Sequence, residues 1–253
     1  MNLLSEPGGQ RKKGDMPITG SNKTIEVVIK FKVRGNLRFL SHAETLKVFQ
    51  RACARAGIKT AYSQGFNPRP KLSLPLPRSV GVESDDELLC LRLQGRQATN
   101  RQSASSEPSF DAERFKARLS GQLPDGFELL SVGVAKAKAS FEPSAATYVL
   151  AVRREYLNEK LKTRIKHLLA RESLNLQRRI EAKSSKFKVR NLKFKEVDVR
   201  PFLKSIQLNG RNIVVECKIS SAGSIRIDEI SELLELDVEK LAEPIRRTRV
   251  QWQ

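Results

Sequence analysis

Ile25, Val27, Ile29, Phe31 and Val33 lie on one side of an alternating stretch, with Glu26, Lys30 and Lys32 opposite. A period of two predicts a strand over 24–33. The period then lengthens. Leu46, Phe49, Ala52 or Cys53, and Ala56 recur at helical spacing, which predicts a helix from His42 to Ala56. Ser41 and Glu44 stand where a capping box needs them, and Gly57 supplies the stop. The pattern goes on to predict a short strand at 58–63, a strand at 86–93, a helix from Phe110 to Leu119, a turn at Leu123 to Gly126 and a strand at 127–136.

The same order then recurs. Thr147 to Val152 reads as a strand, and Glu155 to Arg171 as a helix with Leu157, Leu161, Ile165, Leu168 and Leu169 on its apolar face. Leu174 to Ile180 is a strand and Lys186 to Asp198 an extended basic ribbon. Ser205 to Ile219 is a strand or hairpin turning at Asn209-Gly210. Ile227 to Leu236 is a helix and Pro244 to Trp252 a closing strand. Two βαββαβ orders predict an α+β chain of two tandem ferredoxin-like domains. The expected boundaries are a flexible basic arm at 1–23, a first domain at 24–136 with an insertion at 94–109, a linker at 137–145 and a second domain at 146–253.

One stretch breaks the regular pattern. Ser63 to Val82 runs for about twenty residues without clear periodicity, and a loop that long inside a compact domain is usually functional or disordered. Pro68, Pro70, Pro75 and Pro77 stiffen it, and Gly65 permits close backbone approach. Arg34, Arg38, Arg69, Lys71 and Arg78 flank it or lie within it, and guanidinium groups suit phosphates and base edges. Tyr62 and Phe66 interleave with these cations as a stacking platform requires, and Gln64 and Asn67 add donors and acceptors. The alternative is a rigid loop laid across its own sheet, with both aromatic rings in the core. In the second half, Lys186, Lys188, Arg190, Lys193 and Lys195 alternate with apolar residues, so one strand face can track a phosphate backbone. The glycines of the RNA-recognition motif are missing between its aromatics.

Charge points the same way. The 253 residues carry 47 Lys and Arg against 28 Asp and Glu, a formal net charge of +19. From Arg153 to Arg200 there are 16 basic and 6 acidic residues. Such an excess speaks of partners rather than fold: nucleic acid first, an anionic membrane surface second. No apolar run is long enough to span a bilayer. Cys53, Cys90 and Cys217 lack metal-binding or cluster-binding spacing and read as buried thiols of a reducing compartment, so the cytoplasm is expected.

His42, at the first helical position, is the candidate acid or base, or a phosphate donor. His167, between basic residues on a helix, reads as a surface side chain, and Asp198 with Arg200 as a structural salt bridge.

RFLSHAETLKVFQRACARAG, then AYSQGFNPRPKLSLPLPRSVGVES, resembles the signature of the bacterial radical-SAM-linked proteins of unknown function. The likeness extends more weakly to Val197-Asp198-Val199-Arg200-Pro201 and Arg247-Thr248-Arg249. Where that family has Leu-Asp after its Ser-His pair, this chain has Ala43 and Glu44. The resemblance implies a radical SAM protein as partner. That partner would carry the iron–sulfur cluster and SAM, with cobalamin as a further candidate, while this chain holds no cofactor. The tandem basic architecture is also similar to CRISPR repeat-processing endoribonucleases. The expected function is therefore recognition of RNA, tRNA or rRNA, for a modifying enzyme, without DNA specificity or membrane attachment. The alternatives are a metal-independent endoribonuclease using His42, or a scaffold whose loop docks the radical SAM partner.

Overall fold

The computed structural model describes residues 24–94, 110–136, 139–181 and 192–253. The expected basic arm, nearly all of the 94–109 insertion, and Lys186, Lys188 and Arg190 lie outside the described residues.

The alternating pattern folds as β1 (Ile25–Val33), whose odd-numbered side chains from Val27 onward are buried. After a short 3-10 turn at Gly35–Phe39, α1 (His42–Arg55) begins at Ser41 with a complete capping box. The Ser41 N–H donates to Glu44 Oε2 at 2.8 Å, and the Glu44 N–H donates back to Ser41 Oγ at 3.3 Å. Gly57 follows with φ +64°, a left-handed exit that costs glycine little. β2 (Leu72–Ser73), β3 (Glu83–Leu93), α2 (Ala112–Ser120) and β4 (Phe127–Val134) complete the first half. The second half comprises β5 (Pro143–Ala151), α3 (Glu159–Ala170), β6 (Asn175–Glu181), β7 (Leu192–Asp198), β8 (Leu203–Asn209), β9 (Asn212–Ser220), β10 (Gly223–Ser224), α4 (Ile227–Leu234) and β11 (Arg246–Trp252).

The result is a mixed α/β molecule: a large, mostly antiparallel sheet of nine strands with four helices among the described residues. β1 lies between β3 and β4, and β2 pairs with β3. β5 lies between β11 and β9, and β8 pairs with β9. β6 and β7 form a separate two-stranded ribbon. The halves join where β11 runs parallel to β3, through Arg246 opposite Glu83 and Arg247 opposite Ser84. Because β1 occupies one edge of β3, β2 and β11 share the other edge. β11 takes its start, at Glu83–Ser84, and β2 its end, at Cys90–Leu91.

Each half has its own apolar core. Val27, Ile29, Phe31, Phe49, Leu89 and Leu91 centre the first, with the Phe31 and Phe49 rings edge to face at 4.8 Å. Leu150, Ile165, Ile213, Val215, Ile230 and Leu234 centre the second. Val82, at the end of the long loop, belongs to the second core although its neighbours in sequence build the first. α1 joins β1 to β2 and packs Phe49 on the sheet face that carries Phe31, and α3, on the way from β5 to β8, shares the second core with α4.

Three expectations change. The strand expected at 58–63 is reduced to isolated bridges, Thr60 to Leu93 and Tyr62 to Pro70, and the regular pairing on β3 falls to Leu72–Ser73. Residues 143–145, expected in a linker, already pair as β5, with Ala145 opposite Lys218 and Gln251. α3 starts four residues later than its apolar spacing suggests, because Asn158 caps it by accepting from the Leu161 N–H at 3.0 Å.

Candidate functional site

The long loop is two structures in succession. Tyr62 bridges to Pro70, the Ser63 N–H donates to the Arg69 carbonyl at 2.8 Å, and the Arg69 N–H donates to Ser63 Oγ at 3.0 Å. These bonds close a tight hairpin. Gly65 turns its tip at φ +143°, which any side chain would strain. Phe66 is 106% exposed and Tyr62 51% exposed. Gln64, Asn67, Arg69 and Lys71 are exposed around them. Arg69 and Lys71 form no ion pair among the described residues. The hairpin is rooted at the end of β3, where the Lys71 N–H donates to the Ala61 carbonyl at 2.7 Å and the Arg92 N–H to the Lys71 carbonyl at 3.0 Å.

Leu74 to Val82 behaves differently. It runs along the seam to the start of β3, and the other candidates gather there. Arg34 pairs with Asp85, with Glu83 also within reach at 3.8 Å. Arg38 donates to the Gly35 carbonyl at 2.9 Å and lies 4.2 Å over the Phe39 ring. Arg78 Nη1 donates to the carbonyls of Arg38 at 2.7 Å and Val82 at 2.5 Å, and Nη2 to those of Leu37 at 3.2 Å and Leu40 at 3.3 Å. Burial pulls its pKa down, and the neighbouring Arg247 adds to that. Arg78 thus clamps the turn before α1 rather than facing solvent. β3 has 11 residues, so the two groups of candidates stand roughly 30 Å apart along it. They do not form one contact patch.

His42 opens α1, half-buried, with Nδ1 buried and without a hydrogen-bond partner. It lines a recess of about 10 Å³ with Thr45, Arg78 and Glu87. That space is about the size of one water molecule.

The sequence reading missed the pair beneath this recess. Glu87 on β3 is 3% exposed and Arg247 on β11 is 1% exposed. Arg247 Nη2 donates to Glu87 Oε1 at 2.5 Å, and its guanidinium also reaches the carbonyls of Pro77 at 3.3 Å and Leu76 at 3.5 Å. One arginine therefore ties β11, β3 and the proline-rich segment together across the halves. The alternation of β3 held a signal: Glu87 shares a face with Leu89 and Leu91, where a lone acid requires a buried cation.

In the second half, β6 pairs with β7 from Asn175 opposite Asp198 to Glu181 opposite Leu192. Lys195 is exposed opposite Arg178, Lys193 lies on the same strand, and Phe194 is an exposed aromatic. Arg178 bonds both oxygens of Glu229, at 2.5 and 2.8 Å, and the Ser224 carbonyl at 2.7 Å, which pins the ribbon to the start of α4. Burial raises the Glu229 pKa, but the bonds from Arg178 and the Arg226 N–H outweigh it and hold the carboxyl below its ordinary value. The salt bridge expected between Asp198 and Arg200 is replaced by backbone bonds. Asp198 accepts from the N–H groups of Leu174 at 2.8 Å and Arg200 at 3.0 Å, while the Arg200 guanidinium caps the carbonyls of Leu169, Arg171 and Leu203. His167 is exposed on α3.

Chemistry of other kinds finds little here. Burial pushes the Cys53 and Cys217 thiols up to about 12 and Cys90 to about 11, so none is a nucleophile at neutral pH. Among the described residues, no cluster of three His, Cys, Asp or Glu side chains is placed to hold a metal ion. No helix among them is long and apolar enough to cross a membrane.

Comparison with known proteins adds a family. No curated protein matches the chain. Among solved structures, an unknown protein from Galdieria sulphuraria aligns over 84% of this chain and 89% of its own, at 11% identity and a TM-score of 0.25. A family model matches residues 26–227, from the first strand, through the hairpin and the seam, to the start of α4. The chain belongs to that family, an uncharacterized protein conserved in bacteria (DUF2344).

Proposed function

We propose that this chain is an RNA-binding module made of two tandem ferredoxin-like units, which presents structured RNA to a radical SAM enzyme. The observation that carries the RNA reading is Phe66: an aromatic ring fully in solvent, on a bonded and proline-stiffened hairpin, beside a half-exposed tyrosine and two cations that form no ion pair among the described residues. An exposed phenylalanine gives the free protein nothing, whereas base stacking contributes about 1–3 kcal/mol per base. Prolines at 68 and 70 lower the entropy lost on binding.

The β6–β7 ribbon supports the same reading. β9 and β11 run in the direction of β3, and the ribbon is pinned beside the end of β9 and the start of α4. Ribbon and hairpin thus both lie toward the end of the sheet where β3 and β9 finish. Exposed Phe194 and Lys195 repeat the aromatic-plus-cation chemistry of Phe66 and Arg69. The sheet face opposite the helices offers no such surface in the first half. Its Lys30, Lys32 and Arg92 are paired with Asp86, Glu128 and Glu26.

In the proposal, the strand orders β4-β1-β3-β2 and β11-β5-β9-β8 are the two ferredoxin-like sheets. The radical SAM partner rests on the resemblance carried by the SQGFNPRP stretch, and it would supply the cluster, SAM and any cobalamin. Three buried thiols suit the cytoplasm. The test is RNA binding by the full chain across a salt series, with RNA recovered by cross-linking in cells that have or lack the radical SAM partner. Affinity that falls steeply with salt and with Phe66→Ala supports the module; affinity flat in salt and indifferent to Phe66 refutes it.

A further inference from the structure

A second unusual surface lies beside the start of β3, away from the hairpin tip. A groove of about 610 Å³ runs between the Phe39 and Val80–Val82 region of the first half and the wall made by α4 and residues 236–245 of the second. Seven large hydrophobic side chains are exposed among the described residues, and three of them, Phe39, Val80 and Val238, line this one groove. Each is more than half exposed, and each comes from a different segment. Single exposed apolar residues are ordinary, but convergence of this kind marks an interaction surface.

The charge of the groove opposes that of the molecule. The chain carries +19, yet Ile227 to Ile245 holds seven acids and one lysine. Asp228, Asp237 and Glu243 line the groove, with Arg38 as its one lining cation. Asp237 pairs with Lys240, and Glu243 with Arg211 and Arg246. Asp228, exposed in the first turn of α4, forms no ion pair among the described residues.

We propose that this groove docks a cationic amphipathic segment of a partner protein. The segment's apolar side chains would cover Phe39, Val80 and Val238, and its Lys or Arg residues would meet Asp228 and the acidic wall. Nucleic acid has the wrong sign for this surface. A neutral hydrophobic ligand would leave Asp228 without a role. The inference stands on the groove's own composition and does not depend on the RNA reading.

The test uses the full chain and a labelled helical peptide of about 18 residues, Leu on one face and Lys on the other, beside a twin with Glu in place of Lys. General attraction to a protein of charge +19 favours the Glu twin, so preference for the Lys peptide is a stringent outcome. Binding of the Lys peptide should weaken about tenfold with Val238→Asp and severalfold with Asp228→Lys. Val238 is exposed and lies outside both hairpin and ribbon, so Val238→Asp should leave the melting curve and the RNA affinity unchanged. Equal binding of the two peptides, or indifference to both substitutions, overturns the proposal. So does self-association in sedimentation that Val238→Asp abolishes, because the groove would then belong to a second copy of this chain.

Discussion

Ser63–Arg69 and Leu74–Val82 are neighbours in one proline-rich stretch, yet they have opposite fates. The first closes a hairpin whose Phe66 is fully exposed and whose Arg69 carries no ion pair among the described residues. The second lies in the seam: Arg78 clamps the turn before α1, and Leu76 and Pro77 accept from the buried Arg247. The difference teaches that a count of cations does not measure a binding surface. An arginine engaged by its own chain's carbonyls or acids is part of the fold, and the ones left over are the ones a polyanion can use.

The sharpest way to break this contrast is at the seam. Glu87→Ala leaves Arg247 as a buried charge without its acid, and loss of one partner from such a pair costs about 3–5 kcal/mol. Denaturant unfolding should show that loss. A change below 1 kcal/mol would mean that the pair does not hold the halves together. Arg78→Ala should come next. It removes a charged donor from five carbonyls and should lower stability by about 2–3 kcal/mol, while the RNA affinity of the folded fraction holds.

The hairpin should respond in the reverse sense. Phe66→Ala should leave the melting temperature unchanged and weaken RNA binding about tenfold, the value of one stacked base. Arg69→Ala should weaken binding less and reduce the salt slope by about one phosphate contact. A stability loss in either hairpin variant would place these side chains with the seam instead.

The smallest expected effect concerns acid. Glu229 titrates below its ordinary value in the folded chain, so the Arg178 contact is complete above the unfolded carboxyl pKa of about 4.3 and is lost as pH falls through the lowered value. Melting temperatures across that window should fall more steeply for the native chain than for Glu229→Gln, which has no carboxylate to protonate.

Local chemistry made much of the fold legible. The capping box at Ser41 and Glu44, the stop at Gly57, the alternation of β1 and the turn at Gly210 each depend on residues a few positions apart, and they form as those spacings predict. The hairpin was legible only as a suspicious loop, since the Ser63–Arg69 bonds that shape it carry no periodic signal. The candidate site was less legible still. Arg69 and Arg78 sit in the same stretch of basic and proline residues, and nothing local says that one will find carbonyls and the other water.

The sequence alone determined most of the elements and their order, the net charge and the cluster of aromatic and basic residues at 62–71. Tertiary structure decided which cations remain available and how the halves join. Glu87 and Arg247 are 160 residues apart, and Val82 crosses into a core that its own half does not build. The physical reason is range. Helix caps and strand alternation are set within a few residues, whereas the burial of a charge depends on which distant partner the sheet brings alongside.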